Sequence, residues 1–450
     1  MRGLRRTRSL CPECLRAVDA HYVSDDAQVV FLEKNCPAHG TFRTPAWVEK
    51  NGTPSFNDWQ NSTPPSYPHL PSSAYKKGCP FDCGLCPGHT QQTCCALIEV
   101  TRRCDMNCPL CYASSGGTSP DPGIEDVADM LSTLHTYGGR ANVQLSGGEP
   151  AVRDDLPEII RLAHDKGFPF VQLNTNGLRL AREAGYARRL KQAGLDLVYL
   201  QWDGLRESTF RILRGAPYLA DKEQAARNCL EAGLTVVLVA TIISGVNDDE
   251  LGALLRQALS FGLQLRGLHL QPVASFGRHP WPGAEAPRLT LPELMRALEK
   301  QSGGLVRAGD FHPPNSEHAL CSFSALYQRD ETGQLELISE NRGCCSPRSE
   351  AQRARDFVAR HWGGFSPEPK APGRTDGLDA FLTASSLRRR FTLSAMAFQD
   401  VYSLDIERVR RCHIHVLTRD RRRVPFCLYN LTSASGFPLY RQNGQSPFLS

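Results

Sequence analysis

The sequence predicts an α/β protein whose core is a parallel sheet covered by helices, a six-unit barrel or open half-barrel. Two observations predict it. Six short apolar segments read as strands, at 96–100, 142–145, 170–174, 195–201, 234–241 and 267–271. Among and after them, 154–166, 180–192, 222–232, 249–261 and 291–301 carry apolar residues at helical spacing, and Gly167, Gly194, Gly233 and Gly262 stand where helices end. Apolar strands joined by helical crossovers of this length pair in parallel, and in such a fold chemistry belongs at the C-terminal ends of the strands.

The chain has 450 residues, with 52 lysines and arginines against 47 aspartates and glutamates, a formal charge of +5. At about 150 residues per domain this length suggests three domains and ample core. The charge is too small for a nucleic-acid binder, and the basic clusters at 2–8 and 421–423 read as solvated surface. The N-terminus lacks the apolar stretch of a secretory signal, and the longest apolar run, 234–243, is about half a membrane span. A cytoplasmic chain without a transmembrane segment is expected. Its 17 cysteines are then metal ligands or catalytic groups before they are disulfides.

Those cysteines fall in groups. Cys11 and Cys14 in CPEC, with Cys36 and His39 in CPAH, have the paired-knuckle form of a mononuclear zinc or iron site, with Cys94 or Cys95 as an alternative to His39. Cys79, Cys83 and Cys86 form CxxxCxxC before the first strand, and read as an auxiliary cluster or a zinc site with Cys94 or Cys95 as fourth ligand. His89 beside them reads as a supporting group rather than a ligand. Cys321, Cys344 or Cys345, Cys412 and Cys427 are dispersed, as ligands brought together by folding would be. Cys412 and Cys427 flank an expected hairpin of 413–417 and 424–429. Cys229, alone, reads as a small buried hydrophobe.

The remaining three, Cys104, Cys108 and Cys111, lie in CDMNCPLC four residues after the first strand. Three thiolates so spaced suit a cubane [4Fe-4S] cluster with one iron left open, although a structural cluster with a fourth cysteine elsewhere has the same spacing. The second strand runs directly into Ser146, Gly147, Gly148, Glu149 and Pro150, where two glycines admit close backbone approach and a carboxylate is available to an ammonium group.

A CxxxCxxC loop after the first strand and a GGEP loop after the second resemble the radical S-adenosylmethionine (SAM) enzymes. The resemblance implies a partial (β/α)6 TIM-like barrel, with a cluster on Cys104, Cys108 and Cys111 whose open iron chelates SAM. It implies that Gly147, Gly148 and Glu149 meet the methionine end, and that Asn174, Asn176, Gln201, Asp203, Ser244, Gly245, Gln271 and Pro272 hold the rest of SAM. One departure is Leu110, where the superfamily usually has an aromatic residue. The implied chemistry is reductive cleavage of SAM to a 5′-deoxyadenosyl radical that abstracts hydrogen from a substrate the sequence does not name. A low-potential donor such as flavodoxin or ferredoxin would supply the electron.

The outer groups, together with RCHIHV and PFCLYN near the end, resemble the tetraether-lipid-synthase-like branch and within it the TrsS-type (seleno)proteins. The cysteine groups divide the chain into a Cys/His-rich metal-binding region at 1–93, a SAM barrel at 94–303 and a cysteine-rich α+β auxiliary-cluster domain at 304–450. The outer cysteine groups suit one or two auxiliary [4Fe-4S] clusters, and the likeness implies carbon–carbon coupling or methyl-type transfer and a methyltransferase-like partner. The competing reading is a multi-cluster electron-transfer or scaffold protein that never cleaves SAM, but such a protein needs neither GGEP nor QWDG.

Overall fold

The computed structural model describes residues 2–441, apart from 50–51, 62–63, 69–72, 75, 118–119, 331, 333, 339–348, 364–386 and 388. The chain begins with an antiparallel meander of β1 (Arg2–Leu10), β2 (Ala17–Ser24), β3 (Val29–Cys36) and β4 (Gly40–Val48). In β2, buried Val18, Ala20 and Tyr22 alternate with exposed Asp19 and His21, the period of a half-buried strand. The meander is fastened to a late segment of the chain. Tyr22 donates to Asp405 at 2.7 Å, and buried Lys34 donates to the carbonyl of Val401 at 2.6 Å.

Next come β5 (Cys95–Thr101), β6 (Asn142–Gly147), β7 (Val171–Thr175), β8 (Leu197–Gln201), β9 (Thr235–Ile242) and β10 (Leu265–Pro272), adjacent in that order and all parallel. They coincide with the six expected strands. The helices α1 (Ile124–Gly138), α2 (Leu156–Asp165), α3 (Leu178–Arg182), α4 (Tyr186–Gln192), α5 (Glu207–Arg214), α6 (Leu219–Glu231), α7 (Leu251–Ser260) and α8 (Leu291–Ser302) cover them. The single helix expected over 180–192 is two, because Gly185 takes a left-handed φ of 76° that starts α4 afresh.

The later residues extend both edges of this sheet. On one side β13 (Arg390–Met396) lies parallel to β10, followed by antiparallel β11 (Ser322–Arg329) and β12 (Leu335–Leu337). On the other, β14 (Ile414–Leu417) lies parallel to β5, with Ile414 opposite Cys95, and antiparallel β15 (Arg423–Pro425) closes the edge. The expected hairpin is present but shorter, since Phe426–Tyr429 turns into a helix that carries Cys427. Helix α9 (Glu350–Trp362), started by the Ser349 capping box, packs across the N-terminal ends of β9, β10 and β13. Among the described residues no helix is long and apolar enough to cross a membrane.

Candidate active site

The barrel lumen and the loops above its C-terminal end enclose a cavity of about 1900 Å³. Cys104, Cys108 and Cys111 all line it, on the loop that leaves β5. That loop is held from several sides. Arg278 exchanges backbone hydrogen bonds with Cys111, at 2.9 and 3.0 Å, and its Nε donates to the carbonyl of Cys108 at 2.7 Å. Arg214 donates to the carbonyl of Leu110 at 3.1 Å.

The glycine loop after β6 lies directly on the start of the cysteine loop. Gly148 N–H donates to the carbonyl of Thr101 and Glu149 N–H to that of Arg103, both at 2.9 Å. A Cβ on Gly147 would stand 2.1 Å from the Thr101 carbonyl oxygen, and one on Gly148 2.1 Å from that of Arg103. Both glycines are therefore required by contact, and at Gly147 also by a φ of 130°.

Glu149 is buried and faces the cavity. Its carboxylate accepts from Ala151 N–H at 2.9 Å, Thr175 Oγ1 at 2.7 Å and Asn176 N–H at 2.6 Å. Burial still lifts it to about 7. Three of its roughly four acceptor positions are used, so it fastens the loop after β7 to the loop after β6 and has one left for a ligand cation. Asn176 donates in turn to Asp105 of the cysteine loop at 2.7 Å. Asn174, Gln201 and Gln271 also line the cavity.

Asp203 sits apart from that lining. It is fully buried and forms a bidentate pair with Arg214, Nε to Oδ2 at 2.7 Å and Nη2 to Oδ1 at 2.8 Å. Both of its carboxylate oxygens face that guanidinium, and not the cavity expected to hold SAM. Arg214 itself lines the cavity and its charge favours the thiolate of Cys108, against the burial that raises that thiol. Cys104 is pushed up to about 12 by burial. Burial thus disfavours the free thiolates of Cys104 and Cys108, whereas a cluster would take the cysteines as thiolates beside a guanidinium, and the donor set fits one.

A second group stands in the meander. The donor atoms of Cys11, Cys14, Cys36 and His39 lie within 4.8 Å of one another. His39 Nδ1 is 3.5 Å from the sulfurs of Cys11 and Cys36, and Cys14 is 3.9 Å from Cys36. Three thiols and an imidazole closing on one point are the ligands of a closed tetrahedral site.

Residues 3–48 match the "HMPTM N-terminal zinc ribbon domain", and residues 98–258 match the radical SAM superfamily. Over 99% of this chain and 95% of its relative, the sequence is 32% identical to the 7,8-dihydro-6-hydroxymethylpterin dimethyltransferase of Methanocaldococcus jannaschii. The chain belongs to the radical SAM superfamily. It is also 34% identical, over 34% of this chain and 50% of the relative, to a probable GTP 3′,8-cyclase of Methanothermobacter thermautotrophicus. The solved structure of Streptococcus suis SuiB bound to S-adenosylmethionine is similar over 47% of each chain, at 15% identity and a TM-score of 0.37.

As a radical SAM enzyme the chain needs a [4Fe-4S] cluster and SAM, and the loop of Cys104, Cys108 and Cys111 brings three thiols to the cavity beside the glycine loop. Burial pushes the thiols of Cys83 and Cys412 up, with Cys79 and Cys86 beside the first and Cys427 and Cys321, the expected group, beside the second. Cys412 also stands near Cys83, and His89 Nε2 lies 2.8 Å from the carbonyl of Cys412. Cys95, expected to join the Cys79 group, points instead into the lumen, where it donates to Gln144 Oε1 at 3.4 Å and accepts from Gln172 Nε2 at 3.5 Å. Its place on the inward face of β5 is the reason. Cys344 and Cys345 lie outside the described residues.

Sequence reasoning missed Arg214, Arg278 and Lys222. Lys222 is buried in α6, where it donates to the carbonyl of Asn176 and, at 3.2 Å, to Gln201 Oε1, joining two loops of the cavity. The only signal for Arg214 was its helical spacing after QWDG, and for Lys222 there was none.

Proposed function

We propose that the enzyme methylates a reduced pterin or a closely related bicyclic heterocycle. The observation that carries this reading is the extent of likeness to the dimethyltransferase. It takes in the ribbon, the barrel and β11 to β15, so the likeness extends over the segments that enclose the cavity and not over the cofactor loops alone. The volume of about 1900 Å³ exceeds the ~300–1,000 Å³ of an ordinary ligand site, as a cavity that holds SAM and a substrate together must.

A [4Fe-4S] cluster held by Cys104, Cys108 and Cys111, with SAM bound, would supply a carbon radical able to take hydrogen from an unactivated C–H bond. This chain's residues place the participants. Gly147 and Gly148 bring the backbone against the cysteine loop, Glu149 offers its remaining lone pair to an ammonium group, and Asn174, Asn176, Gln201 and Gln271 face the space that SAM would fill. Arg214 and Arg278 hold the cysteine loop. The ribbon holds a single zinc. Cys79, Cys83, Cys86 and Cys412 hold one auxiliary cluster, and Cys321 with Cys427 belong to another site on the same side. A flavodoxin or ferredoxin delivers the electron.

The test is anaerobic incubation of the reconstituted enzyme with SAM, dithionite and 7,8-dihydro-6-hydroxymethylpterin. Mass spectrometry is expected to find the pterin heavier by one or two methyl groups, with 5′-deoxyadenosine released. 5′-Deoxyadenosine with an unchanged pterin would overturn the substrate reading while leaving the enzyme class in place.

A further inference from the structure

Below the cofactor loops the lumen continues to the N-terminal ends of the strands, where α9 closes it. Its walls there contain side chains with no role so far. Asn142, Gln172 and Thr392 line the cavity and are 1%, 4% and 2% exposed. Each carries a buried polar atom, Oδ1, Oε1 and Oγ1, without a partner among the described residues, and so does the indole N–H of Trp362. Native interiors leave few such atoms, and four around one lumen ask for a ligand. The other halves of the two amides are fixed, since Asn142 donates to the carbonyl of Arg355 in α9 at 3.2 Å and Gln172 donates to Cys95 at 3.5 Å.

An aromatic wall, of which Trp362 is part, lines the same floor. The rings of Tyr199 and Trp362 are 5.5 Å apart, those of Tyr199 and His269 5.7 Å, and those of His269 and Trp362 6.5 Å. His269 is oriented by Ser394 at 2.8 Å. Burial holds His269 down to about 4, so the wall is uncharged at neutral pH. A flat ring fits against such a wall.

We propose that this floor of the lumen is a slot for an aminopyrimidinone ring, resting on the methylation reading above. The free oxygens of Gln172 and Asn142 accept from the exocyclic amino group and ring N–H, while Thr392 donates to the ring carbonyl. The far edge of the heterocycle is thereby held at the bottom, and the carbon to be modified points up toward the cysteine loop.

The test is anaerobic equilibrium dialysis of the full-length holoenzyme with SAM and without reductant. The probes are 7,8-dihydro-6-hydroxymethylpterin, its lumazine analogue in which a carbonyl replaces the amino group, and guanosine. The parent should bind the pterin about tenfold more tightly than the lumazine, and Gln172→Met should lose about tenfold in pterin affinity and most of that preference. Thr392→Val, which keeps the side-chain shape, should also lose about tenfold, with parental iron content as the folding check for both. Unchanged affinity in both folded variants, with the pterin still methylated by the parent, would overturn the slot and leave the methylation reading standing. Guanosine bound and lost in the variants, with the pterin never methylated, would uphold the slot and overturn that reading. Binding of neither pterin nor guanosine by the parent overturns the slot.

Discussion

Asp203→Asn keeps the shape of the side chain at a position that is 0% exposed and removes its charge. Arg214, 8% exposed, is then left as a buried cation without its partner, although it keeps Leu110 and Thr241 as acceptors. Removing one member of a buried ion pair costs roughly 3–5 kcal/mol. At about 2–4 °C per kcal/mol for a unit of ~150–250 residues, the barrel should unfold about 6–20 °C earlier. The same change loosens the arginine that holds the cysteine loop, so iron content should fall in step. A double variant, Asp203→Leu with Arg214→Met, separates the two effects. An apolar pair of similar volume removes the stranded charge and should restore much of the melting temperature. It cannot restore the hydrogen bond to Leu110 or the positive charge beside Cys108, so SAM cleavage should stay low. Thermal unfolding by circular dichroism, iron quantitation and 5′-deoxyadenosine release measure the three quantities. A melting temperature for Asp203→Asn within about 2 °C of the parent, or parental SAM cleavage in the double variant, would refute the reasoning.

Other outcomes follow from single contacts. In Gly148→Ala the new Cβ meets the Arg103 carbonyl at 2.1 Å, so the cysteine loop must shift, at a cost of about 1–3 kcal/mol. SAM affinity, measured by dialysis, should fall at least tenfold. Cys412→Ala should lose about four irons, the content of one cubane, and keep its zinc, as metal analysis by plasma emission would show. Lys222 is held down to about 8 by burial, against 10.5 when unburied. Between these values the unfolded chain binds more protons than the folded one, so stability rises with pH across that window, by about 3 kcal/mol. Urea midpoints at the two ends of the window should show this rise in the parent and lack it in Lys222→Met.

The strands and most helices were legible because each carries its own period, and the reactive loop because three cysteines and a GGEP segment declare themselves within a few residues of a strand end. What was not legible depends on pairing between distant segments. The hydrogen bond from His89 to the backbone of Cys412 spans 323 residues, and it exists because β14 pairs with β5 in one register, Ile414 opposite Cys95. That register brings Cys412 up to His89, while the alternation of β5, paired on its other side with β6, places Cys95 on the inward face, where its thiol meets Gln144 and Gln172. In the sequence, Cys94 and Cys95 are the cysteines nearest to CPFDCGLC along the chain, and proximity favoured them as ligands. Spacing identifies the members of a metal site only while they lie on one local turn. Beyond that, pairing between distant strands chooses: a shift of one residue of β14 against β5 would turn over the faces of β14 and move Cys412 along the edge, with Cys95 left in place.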